Sequence, residues 1–251
     1  MSKLLELKDV NKSFGGVLAV DELSCSIEQG ELVGLIGPNG AGKTTVFNLV
    51  TGVHPLTSGE VLHNGARISG SSPTRIARSG IARTFQNIRL FRSLTVLEHV
   101  LVAQGCRGAK LLAQLSPFST AAEMERRGQA EELLEIFGLQ GRSDELAVHL
   151  PYGGQRRLEM ARALATSPEL LLLDEPAAGL NDTETDELRT ILETLRARGH
   201  TILLVEHDMK LVMRLCTRIL VLNFGRLIAS GTPAQVRADQ NVIDAYLGVE
   251  N

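Results

Sequence analysis

The chain has 251 residues, enough for one large α/β domain or two modest ones. Its composition, 43% hydrophobic and 22% charged, is that of an ordinary soluble protein. A net charge of −3 and a pI near 6.1 exclude an electrostatic case for nucleic acid, which needs a clear basic excess.

From the N-terminus, "MSKLLELKDV" carries acidic residues inside its apolar stretch and no small-residue cleavage site. It is read as a strand and not as a signal peptide. "LAVDELSCSI" and "EVLHNGARI" are further strands, the latter folding at an Asn-Gly turn. Between them "ELVGLI" is a compact apolar run ending in a glycine-rich loop, and a helix follows over "KTTVFNLVTG" with Gly52 as its stop.

From about residue 93 to 166 the pattern turns helical. Thr95 with Glu98, and Thr120 with Glu123, fit the S/T-x-x-E capping box, and Gly138 ends the second of these helices. Beyond 168 strand and helix alternate again. "ELLLLDE" is the continuous apolar run of a parallel strand buried on both faces. An amphipathic helix opened by Asn181 and Glu184 follows, then a second buried strand "TILLVEH", a hairpin over "RILVLNFGRLIASG", and two short helices.

No apolar run approaches the ~18 residues of a membrane span, so a membrane role would come through a partner. Cys25, Cys106 and Cys216 are far apart and odd in number, and the six histidines lack metal-ligand spacing; reduced cytosolic thiols are expected. The expected architecture is one domain over 1–251. Its α/β nucleotide-binding core, 1–90 and 167–251, is interrupted by a helical subdomain at 91–166.

Chemistry concentrates in a few places. Gly37-Pro38-Asn39-Gly40-Ala41-Gly42-Lys43-Thr44-Thr45 fits G-x-x-x-x-G-K-[ST] after a strand and before a helix. Its glycines let consecutive N–H groups turn inward around phosphate oxygens, at the positive end of the following helix. Lys43 can reach the β- and γ-phosphates, and Thr44 can ligate Mg²⁺. Asp174, ending a buried strand, is placed to hold Mg²⁺ through water. Glu175 beside it is the candidate general base for the attacking water. The bland alternative is a strand that ends in solvated charge. Gln86 closes "GIARTFQ" and His207 closes "TILLVEH"; ligands in open α/β sheets lie beyond such strand ends. A lone Gln or His there is usually just solvated. A GTPase would show Asn-Lys-x-Asp; "NKSF" at 11–14 lacks the aspartate and precedes the P-loop.

The order of these motifs resembles the ATPase subunit of ABC transporters over essentially the entire chain. "GIARTFQNIRLFRSLTVLEHVLVA", "EPAAGLN", "EHDMKLVM" and "VIDAYLG", with the long stretch from Ala103 to Glu132, are similar to the branched-chain amino-acid importer type. The resemblance implies a P-loop core with a mostly parallel sheet, an N-terminal antiparallel β subdomain and the inserted helices. It implies a cytosolic ATPase, peripheral on the inner face of the membrane and working as a dimer with itself or a paralogue. Integral-membrane permease subunits, and indirectly a substrate-binding protein, would complete the assembly. Each ATP, with Mg²⁺, would lie between one subunit's P-loop and the other's signature helix. By the same resemblance Phe14 stacks on adenine, with a buried core phenylalanine as the alternative. Gln86 senses the γ-phosphate or Mg²⁺ near the permease contact, and His207 bonds the γ-phosphate.

The signature itself departs from the family's Leu-Ser-Gly-Gly-Gln. In "LPYGGQRRLEMARAL" the ungapped register puts Pro151 at the serine, Tyr152 at the first glycine and Gly154 at the glutamine. Sliding by one aligns Gly153-Gly154-Gln155 but deletes a residue from the helix. That deletion rotates the apolar face of Leu158, Ala161, Leu164 and Ala165 by about 100°. The ungapped register is preferred. The N–H groups of Gly153 and Gly154 at a helix N-terminus then remain an anion site. Asn181 stands where the D-loop usually has aspartate, keeping an acceptor and losing a charge. Other cargoes (urea, short amides, lipopolysaccharide), a non-transport cassette and a regulatory nucleotide sensor are the competing readings.

Overall fold

The computed structural model describes residues 2–84, 88–105 and 120–247. Gln86, Cys106, the middle of the Ala103–Glu132 stretch and the side chain of Thr120 lie outside the described residues.

Two sheets carry the architecture. β1 (Lys3–Phe14), β2 (Val17–Glu28), β4 (Ser58–His63) and β5 (Ala66–Arg67) form an antiparallel sheet in the order β2-β1-β4-β5. The expected Asn-Gly turn closes its last hairpin, with Asn64 at φ +51° and Gly65 at φ +73°. The second sheet runs β10-β9-β3-β8-β7-β6. It comprises β3 (Leu32–Ile36), β6 (Ile81–Arg83), β7 (Leu170–Asp174), β8 (Thr201–Val205), β9 (Arg218–Asn223) and β10 (Arg226–Gly231). All its pairings are parallel except the β9–β10 hairpin.

The central strands are apolar throughout because both faces are covered. Leu171, Leu173, Ile202, Leu204, Ile219 and Val221 pack on one side, with the helical region. Their neighbours Leu170, Leu172, Leu203, Val205, Leu220 and Leu222 pack on the other, with the antiparallel sheet and α1 (Lys43–Val50). Side chains alternate faces with period two, so one five-residue run feeds two cores. Fully burying one such leucine stabilises by about 1.5–3 kcal/mol, which is why charge stays at the strand ends.

The remaining helices are α2 (Pro73–Arg78), α3 (Val96–Gly105), α4 (Thr120–Ile136), α5 (Tyr152–Ala165), α6 (Asp182–Ala197), α7 (Met209–Leu215), α8 (Pro233–Ala238) and α9 (Gln240–Leu247). Two expected caps are present. Glu98 N–H donates to Thr95 Oγ1 at 3.2 Å while Thr95 N–H donates to Glu98 Oε2 at 2.7 Å. Asn181 and Glu184 exchange the same pair of bonds at 2.9 and 3.1 Å, and Gly138 ends α4 at φ +63°. Asn181→Ala is expected to lower stability by about 1 kcal/mol. That corresponds to roughly 2–4 °C in melting temperature at this chain length. A variant that melts with the parent in a calorimeter would show that the box contributes nothing.

Candidate nucleotide-binding and catalytic site

The P-loop, Asp174, Glu175 and His207 gather beyond the carboxyl ends of the parallel strands. β3 leads into the P-loop, whose glycines take conformations that side chains resist. Gly37, Gly40 and Gly42 sit at φ +150°, +81° and +102°. At Gly37 a Cβ would overlap the Leu222 carbonyl oxygen, and at Gly42 it would come 2.5 Å from the Ala19 carbonyl oxygen. Gly225 N–H donates to Ala41 C=O at 3.0 Å, so the β9–β10 turn braces the loop from behind. Lys43 is buried, and its ammonium donates to the carbonyls of Gly37 and Pro38 at 2.7 and 3.0 Å. Burial pushes its pKa down, while the carboxylates of Glu175 and Asp174 pull it back up. Asn39, Gly40 and Thr44 are exposed and Thr45 is half-buried.

β7 and β8 supply the opposing groups. Asp174 is buried and accepts from Arg83 at 2.7 Å through Oδ2. Its Oδ1 is buried with no hydrogen-bond partner among the described residues. Arg83 also donates to Asn48 Oδ1 at 2.7 Å, tying the P-loop helix to the strand that ends in Asp174. Glu175 takes φ +49°, an uncommon conformation for a non-glycine residue. Its Oε1 lies 3.0 Å from Nε2 of His207, and its N–H donates to Val205 C=O at 2.9 Å. Behind this pair, buried Glu206 accepts from Ala177 N–H at 2.7 Å and from His207 N–H at 3.1 Å. Burial raises the pKa of Glu206, against the lowering by these backbone bonds. Such an arrangement can cradle phosphates at one end and polarise a water at the other.

Phe14 is 42% exposed, edge-on to the His54 ring at 5.2 Å with the Lys12 ammonium 4.6 Å from its centroid. The alternative of a buried core phenylalanine is therefore excluded. The signature helix α5 starts at Tyr152 with Pro151 at its N-cap and no side-chain cap. Gln155 N–H makes the first intrahelical bond, to Pro151 C=O at 2.9 Å. Leu158, Ala161, Leu164 and Ala165 form the buried face of this helix. Three side chains of the expected nucleotide set have local partners instead. Gln155 Nε2 donates to Leu150 C=O at 2.9 Å, Asn181 caps α6, and the Tyr152 hydroxyl donates to Ala178 C=O at 3.1 Å.

Arg83 and Glu206 went unnoticed in the sequence. A charged residue in a buried strand was the available signal for Arg83. At the far end of the chain, Tyr246 on α9 has its pKa raised by burial, with the backbone of Gly37 as an opposing hydrogen-bond partner. Beside the site, a cavity of about 610 Å³ opens between α2, β6, α3 and α5. His99 shapes its wall, accepting from Phe91 N–H at 2.9 Å through Nε2 with Nδ1 2.8 Å from Thr95 C=O. Burial lowers its pKa, and these two bonds select the neutral Nδ1–H tautomer.

A strand, a P-loop, a helix, a histidine just after the neighbouring parallel strand and an Asp-Glu pair at the end of the strand beyond it define a P-loop ATPase. The chain belongs to the ABC transporter family, whose model matches residues 20–178, and as such binds and hydrolyses ATP. A second model, for the branched-chain amino acid ATP-binding cassette transporter, matches residues 226–250. The chain is 47% identical over 249 residues to the high-affinity branched-chain amino acid transport ATP-binding protein LivG of Escherichia coli K12, covering 98% of both. It is 46% identical to BraF, the protein of the same description from Pseudomonas aeruginosa, again covering 98% of both. Among solved structures it is similar to an ATP-binding cassette of an ABC transporter in its ADP conformation. That likeness has TM-score 0.85 and 30% identity, covering 99% of this chain and 100% of the other. No helix of the described residues is long and apolar enough to cross a membrane.

Proposed function

We propose that this ATPase drives an importer for branched-chain or related amino acids, as a peripheral subunit on the cytoplasmic face of the membrane. The observation that carries the reading is similarity along 98% of the chain to LivG and BraF, together with the branched-chain cassette match at 226–250. The working unit is a dimer, with each ATP between one chain's P-loop and the other's signature helix.

In that sandwich Phe14 stacks on the adenine. Lys43 and the loop N–H groups hold the phosphates. Glu175 takes the proton of the attacking water, and His207 orients the γ-phosphate against it. Gly153 and Gly154 meet the partner's nucleotide with their first-turn N–H groups. Asp174 and Thr44, with Gln86, are suited to hold Mg²⁺. The buried, unpartnered Oδ1 of Asp174 fits that role, because Arg83 fixes the other oxygen. When bound, Mg²⁺ neutralises charge on the β- and γ-phosphate oxygens. ATP adds affinity only to the closed dimer, so binding shifts the population toward closure and hydrolysis reverses it.

The cavity beside β6 is where a permease segment docks, bringing it next to Arg83 and the strand that leads to Gln86. Residues 91–166 then form the arm that carries the signature. The test is reconstitution in vesicles with a permease and binding protein of the branched-chain amino-acid importer type. Turnover is expected to rise several-fold when the binding protein carries leucine, isoleucine or valine, and not with urea. Stimulation by urea or an amide alone would reassign the cargo. Failure to assemble with the permease would end the transport reading.

A further inference from the structure

The signature carries a tyrosine at the first position of its helix, and the structure shows what that side chain holds. Its hydroxyl is used twice, donating to Ala178 C=O at 3.1 Å and accepting from Arg156 Nε at 3.1 Å. The ring lies against Gly179, where a Cβ would come 3.0 Å from its Cε1. Gly179 also sits at φ +81°, so the backbone favours glycine there and an added Cβ would crowd the ring. One residue further on, the Gly153 backbone packs against the Glu184 carboxylate of the α6 capping box, leaving no room for a Cβ.

The loop so gripped, 175–181, is anchored at its other end by the catalytic pair. Glu175 faces His207 at 3.0 Å, and Ala177 N–H donates at 2.7 Å to Glu206, the residue before His207. One short loop therefore joins the hydrolytic end of a chain's own site to the helix that would grip its partner's ATP. We propose that Tyr152 is a positioning residue that locks the signature helix to the 175–181 loop. Rearrangement at Glu175 and His207 is then passed to the opposite nucleotide site. This inference rests on the dimer reading given above. It assigns Tyr152 a partner within its own chain, where the resemblance alone gave it a nucleotide. The exposed ring, 45% accessible, is kept in place by these contacts and not by burial.

The test compares Tyr152→Phe with the parent in the permease complex, measuring turnover against ATP concentration, with melting temperature as a check on packing. The phenylalanine keeps the ring on Gly179 and removes only the hydroxyl. Maximal turnover is expected to fall at least about fivefold, the cost of the Ala178 bond alone, with KM unchanged and the melting temperature lowered by only a few degrees as the Ala178 and Arg156 bonds are lost. Unchanged turnover would overturn the proposal. A raised KM at constant kcat would also overturn it, by making the hydroxyl a direct nucleotide contact. A parallel arm places Tyr152→Phe in a Glu175→Gln background and follows ATP-driven dimerisation. A dimer in both backgrounds keeps the underlying reading. Its absence even in Glu175→Gln alone would sink that reading and this inference with it.

Discussion

Glu175→Gln is expected to bind ATP normally, turn it over at least about a hundredfold more slowly, and accumulate as a closed dimer. The amide matches the carboxylate in shape and can still accept from His207 Nε2, so the 3.0 Å contact and the loop behind it persist. What is lost is a group able to take the proton from water, a role worth 10²–10⁴ in rate. The left-handed backbone at this position, φ +49°, is no worse for glutamine than for glutamate. On the proposed dimer, where ATP contributes affinity only to the closed state, a chain that cannot hydrolyse it reopens only as fast as ATP leaves. Phosphate release and size-exclusion chromatography with ATP and Mg²⁺ check both halves. Near-normal turnover would rule Glu175 out as the base.

The second large effect is expected at Gly37. Gly37→Ala would drive a methyl group into the Leu222 carbonyl oxygen on β9, at a φ of +150°. Neither partner can give, because Leu222 is fully buried in the sheet and the P-loop is held to the same hairpin by the Gly225 N–H to Ala41 C=O bond. A loss of about 2–4 kcal/mol is expected, with ATP affinity falling more than about tenfold as the phosphate-facing N–H groups are displaced. Gly40→Ala is the internal control. Its φ of +81° carries the same kind of backbone penalty, about 1 kcal/mol, but no atom lies within 4 Å of the added methyl. Thermal unfolding and isothermal titration with ATP should separate the two variants clearly. If they behave alike, the overlap at Leu222 does not govern the loop.

The parts of the site that the sequence made legible share one property: local spacing encodes them. The P-loop is a contiguous string. Asp174, Glu175 and His207 stand at the ends of apolar runs whose only sheet solution buries the run and exposes its end. The Thr95 and Asn181 capping boxes are four-residue patterns and were readable for the same reason. Short elements escaped. α7 spans seven residues, too few for a helical period to show, although Asp208 caps it. α2 spans six, announced only by Ser72 before Pro73. Contacts across long sequence separations were invisible. Arg83 meets Asp174 from 91 residues away, and Tyr152 meets Ala178 from 26. The side chains of Gln155 and Asn181 were legible as polar groups of the signature and D-loop stretches. Only the coordinates show their acceptors and donors engaged by their own helices.

The tyrosines have an optical consequence. The chain contains no tryptophan and two tyrosines. Tyr152 opens α5 and bonds to the loop that follows Glu175, and Tyr246 on α9 lies near the backbone of Gly37. Absorption and emission near 280 nm therefore come from two phenols, one on each side of the nucleotide machinery, with no background from the rest of the molecule. Removing either by Phe replacement leaves a single intrinsic chromophore, so motion at the signature and motion at the P-loop can be followed separately without a label.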